Sequence, residues 1–346
     1  MRIAAFFDDR YAPAEEPLFA RLGTTASKLE RLGLVELRAP AALPMPLLRG
    51  LHDDAYLDAF LSGEEPMASR QGIRWSPRIR DATLAMLGGQ LDGAEEALRS
   101  GIAMNIARGF HHAVHASGSG FCPLNGLALL AHAWPQRKVL VIDCDEHGGN
   151  GTEEFAARLP NFYNVSVFGT RFGCRGGTRS WAFMVRARSD GFERYLEALR
   201  EAERLVDAHR PDLLVYQAGA DCHEDDPKSL TGLTTSQLFE RDVAVFRIAR
   251  QRGIPILFVV AGGYQGADRV ARLNANTVRA ARWVWRRHSA DHTLSPAGLG
   301  PAASVLDDRG VHETSVLAST QETPMHSAPS QALPVLFLGY GSPMNA

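Results

Sequence analysis

The segment KVLVIDCDEHGGNG, residues 138–151, constrains the fold more than any other part of the chain. Its aliphatic run, 139–142, lies between a charged residue and a group of glycines, a pattern typical of a buried strand in a parallel sheet. Asp143, Asp145 and His147 follow at intervals of two, so in an extended backbone their side chains point to one face. Open α/β sheets bind ligands at the carboxyl ends of their strands. The segment therefore predicts a functional site at the end of a central strand.

Two carboxylates and one imidazole are suitable ligands for a divalent transition metal such as zinc. A turn in which the aspartates only cap the next helix is an alternative that this segment alone leaves open. Gly148, Gly149 and Gly151 allow a sharp turn into a helix that is predicted to begin near Thr152. The choice between a metal site and a capping turn therefore depends on other segments of the sequence.

The composition narrows the class of protein. A length of 346 residues suits one large α/β core or two smaller ones. A net charge of −2 gives no indication of binding to nucleic acid or to an anionic membrane. The acidic start of the chain does not resemble a signal peptide, and no apolar run has the length of a membrane span. We therefore expect a cytoplasmic α/β protein without a nucleic-acid or membrane partner; the sequence does not indicate its oligomeric state.

Strand patterns alternate with amphipathic helix patterns from residue 2 to residue 287. Predicted strands are 2–7, 34–37, 102–106, 139–142, 162–168, 212–218 and 254–260. Predicted helices lie at 27–32, within 47–61, at 81–99, at 127–133, from 152 onward, at 192–209, at 237–251 and at 267–287. The β-loop-α order predicts a parallel sheet with helices on both faces. From about residue 289 the composition changes to Pro, Ser, Ala and Thr, so 288–346 is predicted to be a loosely structured tail.

Three further segments place polar side chains close to predicted strands. His111 and His112 are adjacent, so their rings can converge only where the backbone is irregular, as after Gly109. Asp221 follows one strand in the sequence GAD, and Tyr264 follows another in the sequence GGY. Taken alone, each has a structural alternative; the histidines, for example, fit two unrelated surface residues.

Two more loops contain candidate residues. Gly120 and Phe121 precede a helix, and the pair either lines a narrow apolar slot or packs beneath that helix. The stretch 52–56, HDDAY, is typical of an exposed helix start with aspartate caps, and Asp54 belongs to it.

The motifs HH, GF, DxDxH, GAD and GGY occur in one order, and this order resembles the histone deacetylase superfamily of zinc-dependent amidohydrolases. The resemblance covers roughly 1–287 and is greatest to bacterial and class IV members, whose central motif also contains Gly-Asn. It implies one arginase/deacetylase-like α/β domain over 1–287, with the metal site at the strand ends. It also implies hydrolysis of an N-acetyl or N-acyl amide on lysine or another amine.

The resemblance assigns roles to individual residues. The metal ligands would be Asp145, His147 and Asp221, holding Zn²⁺, with Fe²⁺ as the alternative metal. The catalytic group would comprise the general base His112, its neighbour His111, their partners Asn150 and Asp143, and the oxyanion donor Tyr264. Substrate contacts would come from Asp54, Gly120 and Phe121. A structural K⁺ would bind the carbonyls of Asp143, Asp145 and His147 together with Ser166.

Some positions depart from the family pattern. Asn125-Gly126 replaces the usual Asn-Asp pair, which we expect to loosen the start of the following helix. Phe168 stands where the family often has His, which leaves Phe172 as the candidate for a second aromatic wall. His223 has no assigned role and is interpreted as a solvated surface residue.

The end of the chain resembles a different family. LPVLFLGYGSPMNA is similar to the first strand and turn of class III extradiol ring-cleavage dioxygenases, with Tyr340 in place of a metal-binding His. A truncated fusion or read-through product is the most economical explanation of residues 288–346.

Two alternative functions remain. Acidic residues near the rim of the site would favour a polyamine or small-amide deacetylase, and Asp54, Asp225 and Asp226 leave this function open. A non-catalytic protein could keep the same scaffold to recognise acyl groups, although the intact Tyr264 and the histidine pair argue against it.

Overall fold

Eight strands form the central sheet of the protein, whose computed structural model describes residues 1–290, 305–306 and 312–313. In chain order they are Ile3–Phe6 (β1), Val35–Arg38 (β2), Ile102–Asn105 (β3), Val139–Asp143 (β4), Phe162–Phe168 (β5), Ser180–Met184 (β6), Leu213–Gln217 (β7) and Ile256–Val259 (β8). Their order across the sheet is β2-β1-β3-β8-β7-β4-β5-β6, and every neighbouring pair is parallel. Every residue of β3, β4, β7 and β8 is buried, so both faces of the sheet are covered.

Helices connect these strands. Within the described residues they are Pro17–Arg31 (α1), Asp54–Ser62 (α2), Pro77–Ser100 (α3), Gly126–Ala133 (α4), Asn150–Arg158 (α5), Ala187–Asp190 (α6), Phe192–His209 (α7), Thr235–Arg252 (α8) and Ala267–Ala290 (α9). Short 3₁₀ helices lie at Asp9–Tyr11 and Met45–Leu48. The predicted α/β class with a parallel sheet is confirmed.

Capping residues explain why some helices begin at residues other than the predicted ones. The helix predicted at 81–99 begins at Pro77, because the Ser76 side chain accepts a hydrogen bond from the Ile79 amide. It ends where predicted, since Gly101 adopts a left-handed φ of 88°. The helix predicted at 27–32 is the end of a longer helix, α1, which begins at Pro17 and whose first turn is capped by the Glu16 carboxylate. The edge strand β6 was missed, although residues 181–184 form a short apolar run; as in many edge strands, these residues are only partly buried or exposed.

The order of the strands determines where the functional residues meet. The carboxyl ends of β3, β8, β7 and β4 lie side by side in the middle of the sheet. The segments that follow these four strands contain the histidine pair, Tyr264, Asp221 and the Asp145–His147 motif, respectively. The topology therefore brings four motifs that are far apart in sequence to one edge of the sheet.

Little of the predicted tail falls within the described residues. Val305–Leu306 (β9) pairs antiparallel with His312–Glu313 (β10), and β9 lies against α8 and α9. The apolar stretch 333–338 and Tyr340 lie outside the described residues. None of the helices between residues 1 and 290 is both long and apolar enough to cross a membrane.

Truncation after Ala290 is expected to change the thermal midpoint by less than about 4 °C, because the sheet and its helices end with α9. Circular dichroism melts of the full and truncated chains would measure this difference. Truncation after Arg279 is the control: it also removes the buried side chains of Val284 and Trp285 and should destabilise the domain strongly. A large loss on truncation after Ala290 would mean that the contact of β9 with α8 and α9 stabilises the domain.

Candidate active site

Asp145, His147 and Asp221 form a cluster at the ends of β4 and β7. One ligand atom from each lies within 4.8 Å of the others. His147 Nδ1 is 3.2 Å from Asp145 Oδ1 and 3.5 Å from Asp221 Oδ2. Both aspartates are buried and His147 is partly buried. Asp143, which the spacing placed on the same face, instead points to His111, because β4 ends there and the alternation of an extended strand stops.

The cluster fits a divalent cation. Burial, and then the nearby Asp145 carboxylate, raise the pKa of Asp221 to about 7, although His147 beside it acts in the opposite direction. Asp221 Oδ2 is fully buried and has no hydrogen-bond partner among the described residues. Buried carboxylates are costly unless they are paired or bind a metal. Two carboxylate oxygens and an imidazole nitrogen are a ligand set that zinc accepts.

The turn that carries Tyr264 packs directly on this cluster. Gly262 donates its amide hydrogen to Asp145 Oδ2 at 2.8 Å, and its carbonyl accepts from the Ala220 amide at 2.9 Å. A Cβ atom on Gly262 would overlap the carboxylate of Asp221. Only glycine lets the backbone approach both ligands this closely, which explains the first part of the GGY motif.

The two histidines converge as predicted for an irregular backbone. Phe110 has a left-handed φ of 59°, so the alternation of side chains is broken between Gly109 and the pair. The ring centroids of His111 and His112 are 3.9 Å apart. His111 Nδ1 lies 2.7 Å from Asp143 Oδ2, and His112 Nδ1 lies 2.7 Å from Asn150 Oδ1.

The partners of the histidines give the rings opposite electrostatic properties. For His111, burial favours the neutral ring, but the carboxylates of Asp143 and Asp145 outweigh it and raise the pKa. For His112, burial and then the neighbouring His111 hold the pKa well below its usual value. His112 is thus the neutral imidazole of the pair, and His111 is the ring that favours a proton.

Tyr264 lies between the cluster of Asp145, His147 and Asp221 and the aromatic ring of Phe121. Its ring centroid is 6.1 Å from that of His147 and 6.5 Å from that of Phe121. Lys228 Nζ lies 5.2 Å from the same ring centroid. Burial raises the pKa of Tyr264 above its usual value, so the phenol keeps its proton and can donate it in a hydrogen bond.

Two aromatic rings flank the cluster. Phe172 stacks on His112, with ring centroids 4.0 Å apart, and 41% of it is exposed. Phe121 lies near Tyr264 and packs against the core. Gly120, with a φ of 51°, lies so close that a Cβ atom would overlap the His112 ring. The structure therefore brings Gly120, Phe121 and Phe172 to the histidine pair and Tyr264.

Asp54 is placed differently. It is the exposed first residue of α2, and its carboxylate pairs with Arg49 at 3.1 Å. The capping role belongs to Asp53, whose carboxylate accepts from the amides of Ala55 and Tyr56. No hydrogen bond between Asp54 and another candidate site residue is present in the described part of the chain.

Three sequence interpretations near the site were wrong. His223 is 0% exposed, because the chain after β7 folds under the start of α8, where His223 Nε2 lies 3.0 Å from Thr235 Oγ1. The start of α4 is not loosened: the Asn125 side chain accepts from two amides of the first turn and so caps it alone. His52, assigned to an exposed helix start, is buried and accepts from the Asn125 amide at 3.0 Å.

The sequence analysis missed a buried carboxylate beside the cluster. Glu146 accepts from Thr170 Oγ1 at 2.9 Å, from the Leu230 amide at 3.0 Å and from the Thr231 amide at 3.2 Å. It therefore joins the loop after β7 to the loops after β4 and β5. An acid inside the DxDxH motif was the available signal, but its burial depends on a loop more than 80 residues away.

Residues 18–281 match the family model described as the histone deacetylase domain. The chain belongs to the histone deacetylase family. Enzymes of this family cleave amides with the help of a metal ion, so the predicted class, an amide-hydrolysing deacetylase, is confirmed together with the arginase/deacetylase fold.

The relatives include a histone deacetylase and acetylpolyamine amidohydrolases. Histone deacetylase 2 of Arabidopsis thaliana is 30% identical over 56% of this chain, and the match spans about half (51%) of that protein. Acetylpolyamine amidohydrolase 1 of Pseudomonas aeruginosa is 26% identical over 71% of this chain and 85% of its own length. A crystal structure of an acetylpolyamine aminohydrolase from Burkholderia pseudomallei superposes with a TM-score of 0.68 at 19% identity, covering 82% of this chain and 99% of that one. The last similarity concerns the fold alone.

Asp221→Ala is expected to abolish zinc binding, because it removes one of three protein ligands and leaves the other two on a single strand end. Elemental analysis after dialysis against zinc would measure the metal content of both proteins. Added zinc should also raise the thermal midpoint of the wild-type protein only, since a ligand specific for the native state stabilises it.

Asp225→Ala is the matched control for this experiment, since it removes an exposed carboxylate of the same loop that pairs with Arg269. It should bind zinc like the wild type. Full metal content in Asp221→Ala would contradict the assignment of the ligands.

Proposed function

We propose that this protein is a zinc-dependent deacylase that hydrolyses the N-acetyl or N-acyl amide of a lysine side chain. One observation carries the proposal: a neutral imidazole, a phenol and a metal-binding cluster surround the same point. The rings of His112 and Tyr264 lie 5.9 Å and 6.1 Å from that of His147, on which the cluster is built.

Asp145, His147 and Asp221 would hold the metal ion. Three protein ligands leave coordination positions for a water molecule and for the carbonyl oxygen of the substrate. A zinc ion bound there supplies a Lewis acid that polarises the amide and makes the water more acidic. Iron(II) accepts the same donors and is therefore the alternative to zinc as the metal used in the cell.

His112 is the residue best suited to accept the proton of the attacking water. Its Nδ1 is hydrogen-bonded to the neutral side chain of Asn150 and not to a carboxylate. A base must be unprotonated before it acts, and burial keeps His112 neutral. The same ring then returns the proton to the leaving amine. His111, whose Nδ1 is bound to Asp143, stays beside it as the charged partner.

Tyr264 is placed to stabilise the negative charge that develops on the carbonyl oxygen. Its raised pKa keeps the hydroxyl protonated, so it remains a donor throughout the reaction. A donor that is already oriented toward developing charge needs little reorganisation in the transition state.

The aromatic rings support a lysine side chain as substrate. Phe121 and Phe172 flank the histidines and the tyrosine, and the Gly120 backbone packs closely against His112. Apolar walls with few polar groups are typical of a pocket that binds an extended aliphatic chain. The four methylene groups of an acylated lysine match such walls.

An acetylated polyamine is the second candidate, because three of the relatives are named acetylpolyamine amidohydrolases. The acidic residues that could bind a polyamine already have other partners: Asp54 forms an ion pair with Arg49, and Asp225 forms one with Arg269. Asp226 is buried behind Tyr264. The ammonium group of Lys228 lies at the Tyr264 ring and would repel a polycation. These contacts favour lysine over a polyamine.

Two further assignments complete the proposal. The carbonyls of Asp143, Asp145 and His147, with Ser166, would hold a structural K⁺; Ser166 lies opposite Asp143 in the register of β4 and β5. The protein would act in the cytoplasm, since all four cysteines are buried free thiols, as is common in reducing compartments.

Tyr264→Phe is expected to lower kcat on an acetyl-lysine peptide by about 10²–10³, the usual cost of losing one oxyanion donor. The metal content and the KM should stay close to wild type, because the ring and its contacts remain. Tyr163→Phe is the matched control, because Tyr163 lies on β5 and its ring contacts His209 at the end of α7. Unchanged turnover in Tyr264→Phe would show that the phenol has no role in the reaction.

The preferred substrate can be tested with two acetylated amines of different charge. We expect a higher kcat/KM on an acetyl-lysine peptide than on monoacetylated putrescine, since the free amine of putrescine approaches Lys228. Higher salt should narrow the difference by screening this repulsion. A preference for putrescine would favour the polyamine function instead.

A further inference from the structure

Asp226 holds the backbone from which Tyr264 projects. Its Oδ2 accepts a hydrogen bond from the Tyr264 amide at 2.8 Å, and its Oδ1 accepts one from the Lys228 amide at 3.0 Å. The residue is only 5% exposed, although it lies in a loop rich in acids. A buried carboxylate that accepts two main-chain hydrogen bonds fixes the local backbone, because leaving either amide unpaired is costly.

The turn that leads to Tyr264 has little regular structure of its own. β8 ends at Val259 and α9 begins at Ala267, and Ala261 between them adopts a left-handed φ of 50°. One end of the turn is fixed by the hydrogen bond from Gly262 to Asp145 Oδ2. The other end is fixed at Tyr264 by Asp226. Two carboxylates from different loops therefore determine where the phenol lies.

Asp226 also orders the group on the other side of the ring. Because Oδ1 binds the Lys228 amide, the same carboxylate positions the residue whose ammonium lies 5.2 Å from the Tyr264 ring centroid. A cation over an aromatic face is attracted to it. Both the backbone of Tyr264 and the cation at its face thus depend on one buried side chain.

We propose that Asp226 is a positioning residue for the reaction, acting through Tyr264 and touching neither the substrate nor the metal. This inference rests on the proposed function, because it requires Tyr264 to be the oxyanion donor. A displacement of about 1 Å at a catalytic group can cost about 10² in rate. Asp226→Ala should therefore lower kcat on an acetyl-lysine peptide by up to about 10², with little change in KM.

A double-mutant cycle separates positioning from general damage to the domain. Turnover would be measured for Asp226→Ala, Tyr264→Phe and the double variant, with zinc content determined for each. If Asp226 acts through the phenol, its loss should cost no more than about twofold once the hydroxyl is absent. Asp226→Asn keeps one carbonyl oxygen as an acceptor and should recover part of the rate.

Asp225→Ala is the control for the loop. Its carboxylate is exposed and pairs with Arg269, so its loss should change turnover by less than about twofold. If Asp226→Ala does not fold, Asp226→Asn takes its place in the same cycle.

Two results would overturn the inference. One is an unchanged kcat in Asp226→Ala, and the other is a further large loss when Asp226→Ala is added to Tyr264→Phe. Failure of the proposed function looks different, since Tyr264→Phe alone would then keep full turnover.

Discussion

The carboxylates of Asp145 and Asp221 are buried next to each other at the ends of two adjacent strands, and their charge determines much of the structure around them. Each backbone that approaches them offers an amide: Gly262 donates to Asp145, and Glu146 donates to Asp221. These hydrogen bonds do not neutralise the pair, since the pKa of Asp221 stays raised to about 7. A divalent cation held by both carboxylates and His147 would compensate this charge and would stabilise the folded state.

Charge repulsion also constrains the histidine pair. The ring centroids of His111 and His112 are 3.9 Å apart, so the two imidazoles cannot both be protonated without strong repulsion, and their hydrogen-bond partners have to differ. Asp143 gives His111 a carboxylate, whereas Asn150 gives His112 an amide of similar shape and no charge. For His111 the carboxylates of Asp143 and Asp145 outweigh burial, whereas burial and the neighbouring His111 lower the pKa of His112. The basic lone pair therefore lies on His112, the ring that also contacts the exposed Phe172.

Sequence reasoning found the residues whose position depends on a strand end and missed those whose position depends on distant loops. Asp221 could be predicted because a buried strand and a short GAD turn fix its place locally. His223, two residues later, is buried only because α8 packs over it, and no pattern around it indicates that contact. Glu146 is satisfied by amides more than 80 residues away. Phe172 adopts a left-handed φ of 44°, a conformation that composition does not predict for a phenylalanine.

The sequence does not distinguish the three candidate rim acids, Asp54, Asp225 and Asp226, but their contacts in the structure differ. Two are surface carboxylates neutralised by Arg49 and Arg269, and the third is a buried acceptor for main-chain amides. Counting acids near a motif therefore says little about the charge that a substrate meets. Acylation removes the charge of a lysine side chain, so an acyl-lysine would reach Tyr264 as a neutral group. A polyamine acylated at one end keeps a cation and must bring it toward the ammonium of Lys228.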